Sequence, residues 1–499
     1  MAVVDLRGKP SLQPTVAQTA VRRRWIDKLD PPLVRVLTTI GFGLPAAIFL
    51  WLITHYGVNV IDGDQWDDVT VIRNSYSNLF DWGSLWAQHN ENRIFFPNLI
   101  VIALSRTVHF DIRVEEFLSA IMLIAATALV ILTHKRRSPT TPWLYYCPVA
   151  FLMFSLCQYG NMLWGFQMAW YLVLVAMAAA FFLLDRIRLT WAAYLGAIVA
   201  AVIGSFSSLQ GLLIWPVGLV LLYHRRRVWT FVVPWVVAGV ASTALYMHNF
   251  NSGQGAAPHG AVLYNVASTA KFYTLEIGDV LGIPFQLNQA GNIWLSLLGV
   301  AIIVVGVGVI VAYGIRRDDQ SSAPFGVALI AMGLLFAATV TEGRVIFGAW
   351  AASASRYTTF DLLVPVGIYL ALLDRPHVRA PAVRAIGASD RVALDEPPPR
   401  RSVLSPRTGW IGLRTARIAI LVLIVAQFAV SLPQGIWGGR VNYVYQATAA
   451  KVLRNIDHLP DNEVVYYLYI FSNPSFLRHQ AKTLERHHLS VFADGAPSS

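Results

Sequence analysis

Runs of apolar residues recur along this chain at the length a helix needs to cross a lipid bilayer. They lie near 33–54, 113–133, 143–160, 164–184, 190–207, 209–223, 228–248, 291–314, 322–340, 357–373 and 414–432. A helix of about 17–25 mainly apolar residues spans the hydrocarbon core. Within that core a chain can satisfy its backbone polar groups only as a helix or a closed barrel. The eleven runs, some of them short, therefore predict an all-α polytopic membrane protein with about eleven transmembrane helices. Composition agrees. Hydrophobic residues make up 56% and charged residues 13%, with mean hydropathy +0.52, where a soluble domain carries about a quarter charged residues. Cys147 and Cys157 fall ten apart on one expected helix, about 15 Å at the helical rise, too far to bridge. Both read as packing residues.

The distribution of arginine and lysine sets an orientation. With the N-terminus in the cytoplasm, 26 of the 39 basic residues fall on the inner side, in residues 1–35, in HKRR, DRIR, HRRR and RRDD, and in the linker 374–413 with its continuation through Arg417. The net charge of +11 is then mostly topological, and nucleic acid is not needed to explain it. The first apolar run lacks a small-residue cleavage site and reads as a retained anchor. IFFPNLIVIALSRTVHF (94–110) is short and holds Pro97 and Arg106, so it reads as a helix lying in the outer interface. These readings imply a multi-pass membrane protein with the N-terminus inside and the C-terminus outside.

Residues 33–373 form the expected transmembrane domain, with outer loops at 55–112 and 249–290. After the linker and a last span at 414–432 comes a small outer C-terminal segment, 433–499. NFNSGQGAAPHGA in the second loop reads as flexible, and VASTAKFYTLEIGDVLG after it as a helix resting on the membrane surface. In the C-terminal segment ATAAKVLRNI and LRHQAKTLERH read as helices and EVVYYLYIF as a buried strand, which makes the segment α/β. The linker, with PPPRR and scattered arginines, reads as disordered.

Polar residues gather where chemistry is expected. IDGDQWDDV follows the first span, and charge at a membrane edge is costly unless it meets water, a partner or a substrate. Asp64, Asp67 and Asp68 are the candidate general bases; Asp64 is slightly preferred because Gly63 and Trp66 would fix a tight turn. In HNENR, His89, Asn90, Glu91 and Arg93 could hold sugar hydroxyls or orient a catalytic carboxylate. A divalent cation held by His89 and the aspartates is an alternative that a single histidine supports little. Arg344 and Arg356 bracket a Gly- and Ala-rich stretch, and arginine suits bidentate phosphate recognition. Trp164, Phe166 and Trp170 could stack on a sugar beside Gln167. Ordinary alternatives stand beside each: solvated loop charges, a capped interfacial helix, snorkelling arginines, interfacial tryptophans and hydrogen bonding between helices.

DQWDD, WAQHNENRIFFP, NMLWGFQ, FSSLQGLLIWP and GR…G…ASRYTTF, with the outer helices and small C-terminal segment, resemble the GT-C glycosyltransferases. That group includes protein O-mannosyltransferases, the aminoarabinose transferases of lipid A and uncharacterised bacterial multi-span proteins. The resemblance covers most of 33–373. It implies a GT-C-like fold, a polyprenyl-phosphate sugar donor, and a cell-envelope glycan, lipid or protein acceptor. It also implies a first-loop acid acting as base (Asp64, or Asp67 and Asp68) and, by role, Arg344 and Arg356 on the lipid phosphate. Two departures stand out. O-mannosyltransferases carry an Asp-Glu pair where this chain has Asp67-Asp68, and Asn92 stands where a second histidine is expected. A transporter or flippase is the rival reading; it calls for charges midway through spans and for internal repeats, and neither is evident.

Overall fold

The computed structural model describes residues 30–77, 81–251, 265–283, 289–314, 323–373 and 406–495. The tail to residue 29, most of the loop read as flexible and linker residues 374–405 lie outside them. The described chain is almost entirely helical; its strands are the two-residue pair Gln88–His89 and Asn92–Arg93.

Among the described residues seven helices are long and apolar enough to cross a membrane: Pro31–Tyr56, Ile112–Arg137, Gly165–Leu184, Trp229–Met247, Asn292–Tyr313, Ala323–Phe347 and Arg417–Arg454. Their outward faces carry exposed aliphatic residues at helical spacing, such as Val36, Ile40 and Leu44, or Val233, Val237 and Val240. Those faces suit hydrocarbon. Three of the other expected spans are shorter apolar helices, Trp191–Ser205, Leu209–His224 and Thr358–Leu373.

The run at 143–160 is not one helix. It breaks into Trp143–Tyr146, Cys147–Met153, Leu156–Gln158 and Tyr159–Met162. Broken backbone survives inside a bundle only where side chains satisfy it. The Gln158 amide donates to the carbonyls of Met153 and Ser155, and the Ser155 hydroxyl accepts from Cys157 N. Both cysteines are buried and unbridged.

Two further expectations need correction. Val266–Gly278 is a helix, but it does not rest on a surface. Phe272, Leu275, Glu276 and Ile277 are buried, and Gly278 and Gly299 let it meet Gln289–Gly314 backbone to backbone. EVVYYLYIF is not a strand, and the C-terminal segment is helical. Helix Asp461–Leu468 starts after Pro460 with Asp461 and Glu463 in its first turn, and buries Val464 and Leu468 four apart. The sequence pattern of valine and tyrosine fits either period; acidic residues at a helix start and a buried i, i+4 pair decide for the helix. LRHQAKTLERH does fall in a helix, Pro474–Arg486. ATAAKVLRNI ends the single helix Pro406–Arg454, which also contains the last expected span. Its 49 residues are about 74 Å long against a hydrocarbon core of about 30 Å, so much of it stands clear of the bilayer.

That projecting end organises a second core. Ala449 and Leu453 pack with Val464, Leu468, Leu477 and Leu484, and also with Val60, Ile61, Trp66, Val69 and Ile72 of the first loop. The C-terminal segment and the acid-rich loop thus share one apolar centre. At the opposite end of the bundle buried Asp185 lies 2.6 Å from Arg225 and 3.4 Å from Arg137. This ties together three of the basic loops that set the orientation.

Candidate functional site

The helices Ile112–Arg137 and Met168–Leu184 begin, and Pro31–Tyr56, Trp191–Ser205, Trp229–Met247 and Ala323–Arg344 end, at the same end of the bundle. Between these termini lies a cavity of about 290 Å³. Asp64, His89, Asn90, Glu91, Trp164, Gln167, Arg344 and Arg356 all line it. The polar motifs, scattered over nearly three hundred residues of sequence, meet at one place.

Asp64 is presented by a tight turn. Gly63 adopts φ +57, a conformation glycine reaches at no cost, and Trp164 closes the turn by donating its indole N–H to the Asp62 carbonyl at 3.0 Å. Asp64 Oδ1 accepts from the Tyr469 hydroxyl at 2.7 Å, and its Oδ2 lies 3.6 Å from His89 Nε2. His89 Nδ1 meets Asp67 Oδ2 at 2.9 Å. Burial favours a neutral imidazole, but the two carboxylates outweigh it and raise His89 to about 10. Burial likewise pushes Asp64 up, yet His89 and Tyr469 hold it below the ordinary 3.8. At neutral pH the site therefore contains an ionised carboxylate beside an imidazolium.

The three candidate aspartates separate. Asp67 is more than half exposed and contacts the site through His89. Asp68 is buried and faces a space of about 10 Å³ together with Glu115 and Phe166, behind the main cavity. Burial raises its carboxyl to about 8 against the pull of His89, so it is largely protonated near neutral pH and unsuited to act as a base. Only Asp64 of the three lines the cavity.

The two arginines also differ. Arg344 Nη2 lies 2.6 Å from Glu91 Oε1, so its charge is already balanced. Arg356 makes a 3.3 Å hydrogen bond to the Tyr357 hydroxyl and has no carboxylate within ion-pair distance among the described residues. Its loop is pinned from behind. The Asn161 amide donates to the Arg356 carbonyl at 2.6 Å and to Thr359 Oγ1 at 2.7 Å, and Gly160 N donates to Ser355 Oγ at 2.7 Å. A Cβ at Gly160 would sit 2.5 Å from that hydroxyl, which explains glycine there.

Arg93 does not reach the cavity. It is buried and spends its guanidinium on backbone, donating to Tyr246 O at 2.6 Å, Trp86 O at 2.9 Å and His248 O at 2.5 Å. It clasps the carbonyl end of Trp229–Met247, where a cation is favoured. Asn92 serves similarly, its Oδ1 accepting from Ser208 Oγ and Leu209 N; a side chain there fastens FSSLQG to HNENR. Tyr469 is the participant that sequence reading missed, because it sits in the segment read as a strand more than four hundred residues from Asp64. Among the described residues no group of three or more His, Cys, Asp or Glu side chains could hold a metal ion.

The arrangement can accept a proton at Asp64 and meet an anion at Arg356. Its position at helix ends, beside faces suited to lipid, makes an amphiphilic ligand accessible. No protein-family model matches the chain, and neither the curated proteins nor the solved structures contain a match.

Proposed function

We propose that this membrane protein is a GT-C-type glycosyltransferase that moves a sugar from a polyprenyl-phosphate donor to an acceptor hydroxyl at the outer face of a bacterial inner membrane. One observation carries the reading. A single cavity holds an ionised carboxylate, Asp64, and a guanidinium, Arg356, that has no carboxylate within ion-pair distance among the described residues. The acceptor O–H gives its proton to Asp64 while its oxygen bonds to the anomeric carbon from the face opposite the phosphate. The carbon–oxygen bond to the phosphate breaks, its electron pair leaves with the phosphate, and Arg356 meets the growing charge. Configuration at that carbon inverts. His89 keeps Asp64 ionised and oriented, and the Arg344–Glu91 pair shapes the wall.

The test is transfer from a polyprenyl-phosphate sugar by the Asp64→Asn variant. The amide still accepts from Tyr469 but is no base, so the rate falls on the order of 10²–10⁴-fold while the protein folds normally. Full activity in that variant would remove the mechanism.

A further inference from the structure

A second cavity, of about 590 Å³, lies near the first. This is within the range of about 300–1,000 Å³ usual for small-molecule sites. The two linings approach each other at two places. Ser355 lines the second cavity and Arg356 the first. Likewise the Asp62 carboxyl lies against Tyr445, which lines the second cavity, while Asp64, two residues on, lines the first.

Its lining has a definite chemistry. Trp350, Trp437 and Tyr445 are exposed by 61%, 47% and 39%, so flat apolar rings face the opening. Between them lie hydroxyl and amide groups: Tyr159, Ser353 and Asn442. No arginine or lysine is among the described lining residues, and burial pushes the carboxyl of the one acid, Asp279, well above its ordinary range. Such a site offers nothing to a phosphate. Rings that take the C–H face of a pyranose, alternating with neutral hydrogen-bonding groups, match a carbohydrate. Tryptophan is common at membrane interfaces, but an interfacial belt does not require a concave polar floor.

We propose that this second cavity binds a neutral carbohydrate and that the acceptor of the transfer is therefore a glycan. The assignment of the sugar as acceptor rests on the transferase reading above; the binding site itself does not. It favours a glycan over the lipid acceptor left open by the sequence, because a lipid phosphate would need a cation and an acyl chain would leave the polar floor unpaired.

The experiment uses the full chain in detergent on an array of immobilised neutral oligosaccharides built from mannose, glucose, galactose and arabinose. The unaltered protein should be retained on a subset of them. Trp437→Leu and Trp350→Leu should each lower that retention at least about tenfold, and Trp437→Phe should restore part of it. Melting temperatures of the variants serve as the folding control. No retention of the unaltered protein, or retention by both Leu variants equal to that of the unaltered protein, overturns the proposal. Polyprenyl-phosphate binding is measured on the same samples. Glycan retention without any lipid binding would sink the donor reading and leave the carbohydrate site in place.

Discussion

His89 and Asp64 depend on each other's charge, and the dependence fixes a pH profile. His89 is raised to about 10, so its ion pairs stabilise the fold fully below its ordinary 6.5 and are lost as pH rises through about 10. Asp64 is lowered, so its share is present above 3.8 and lost as pH falls through its depressed value. Asp68 has the opposite sign, since a carboxyl raised to about 8 lowers stability as pH climbs from about 4 to about 8. The transfer rate should accordingly stay level from about pH 5 to about pH 9 and fall toward 10. In Asp67→Asn, which removes one of the two carboxylates acting on His89, the alkaline fall should begin at lower pH. An unmoved alkaline limb in the pH–rate curves would detach His89 from catalysis. Arg356→Lys keeps the charge but loses the planar fork. Polyprenyl phosphate should bind on the order of tenfold more weakly to that variant, measured in one detergent, whereas the already balanced Arg344 should tolerate the same exchange better.

At the scale of elements, the broken stretch 143–162 matters most, because it aims the arginine. Its Asn161 amide holds both the Arg356 carbonyl and Thr359. Asn161→Ala leaves the carbonyl unpaired at a cost of about 1–3 kcal/mol. It should weaken polyprenyl-phosphate binding although no charged residue has changed; unaltered binding with a lowered melting temperature would assign Asn161 to stability alone. The helix Asp461–Leu468 and the turn after it act similarly on Asp64 through Tyr469. Tyr469→Phe removes a hydrogen bond to a charged acceptor, about 1.5–3 kcal/mol by the usual scale, and should slow transfer by about tenfold with expression unchanged.

The whole molecule joins a bundle with lipid-facing helices to a cap whose core is shared by its first loop and its C-terminal segment. Leu477 is buried in that shared core. Leu477→Ala should cost about 2–5 kcal/mol and, unlike a cavity in the distant bundle, should also disorder the Asp64 loop and depress transfer. The charge pattern adds an expectation about orientation. A reporter after Ser499 should behave as periplasmic and one within 374–405 as cytoplasmic; the reverse would put the cavity on the wrong side for a lipid-linked donor.

The sequence by itself determined the class, because a bilayer leaves so few ways to satisfy a backbone that repeated apolar runs can mean little else. It also marked most of the polar residues that meet in the cavity, since charge beside a membrane is conspicuous whatever its partners. Tertiary structure decided the rest. Asp64, Asp67 and Asp68 look alike in sequence, and only packing shows that one lines the cavity, one leans on His89 and one is buried and protonated. Arg93, Arg344 and Arg356 are equal as charges, yet the first is spent on carbonyls, the second on Glu91, and the third lines the cavity with no carboxylate within ion-pair distance among the described residues. The run at 143–160 and EVVYYLYIF misled because hydrophobicity reports burial, not the conformation in which a segment is buried. Tyr469 and the second cavity left no sequence signal: each is made by residues far apart in the chain, which only the packed helices bring within reach.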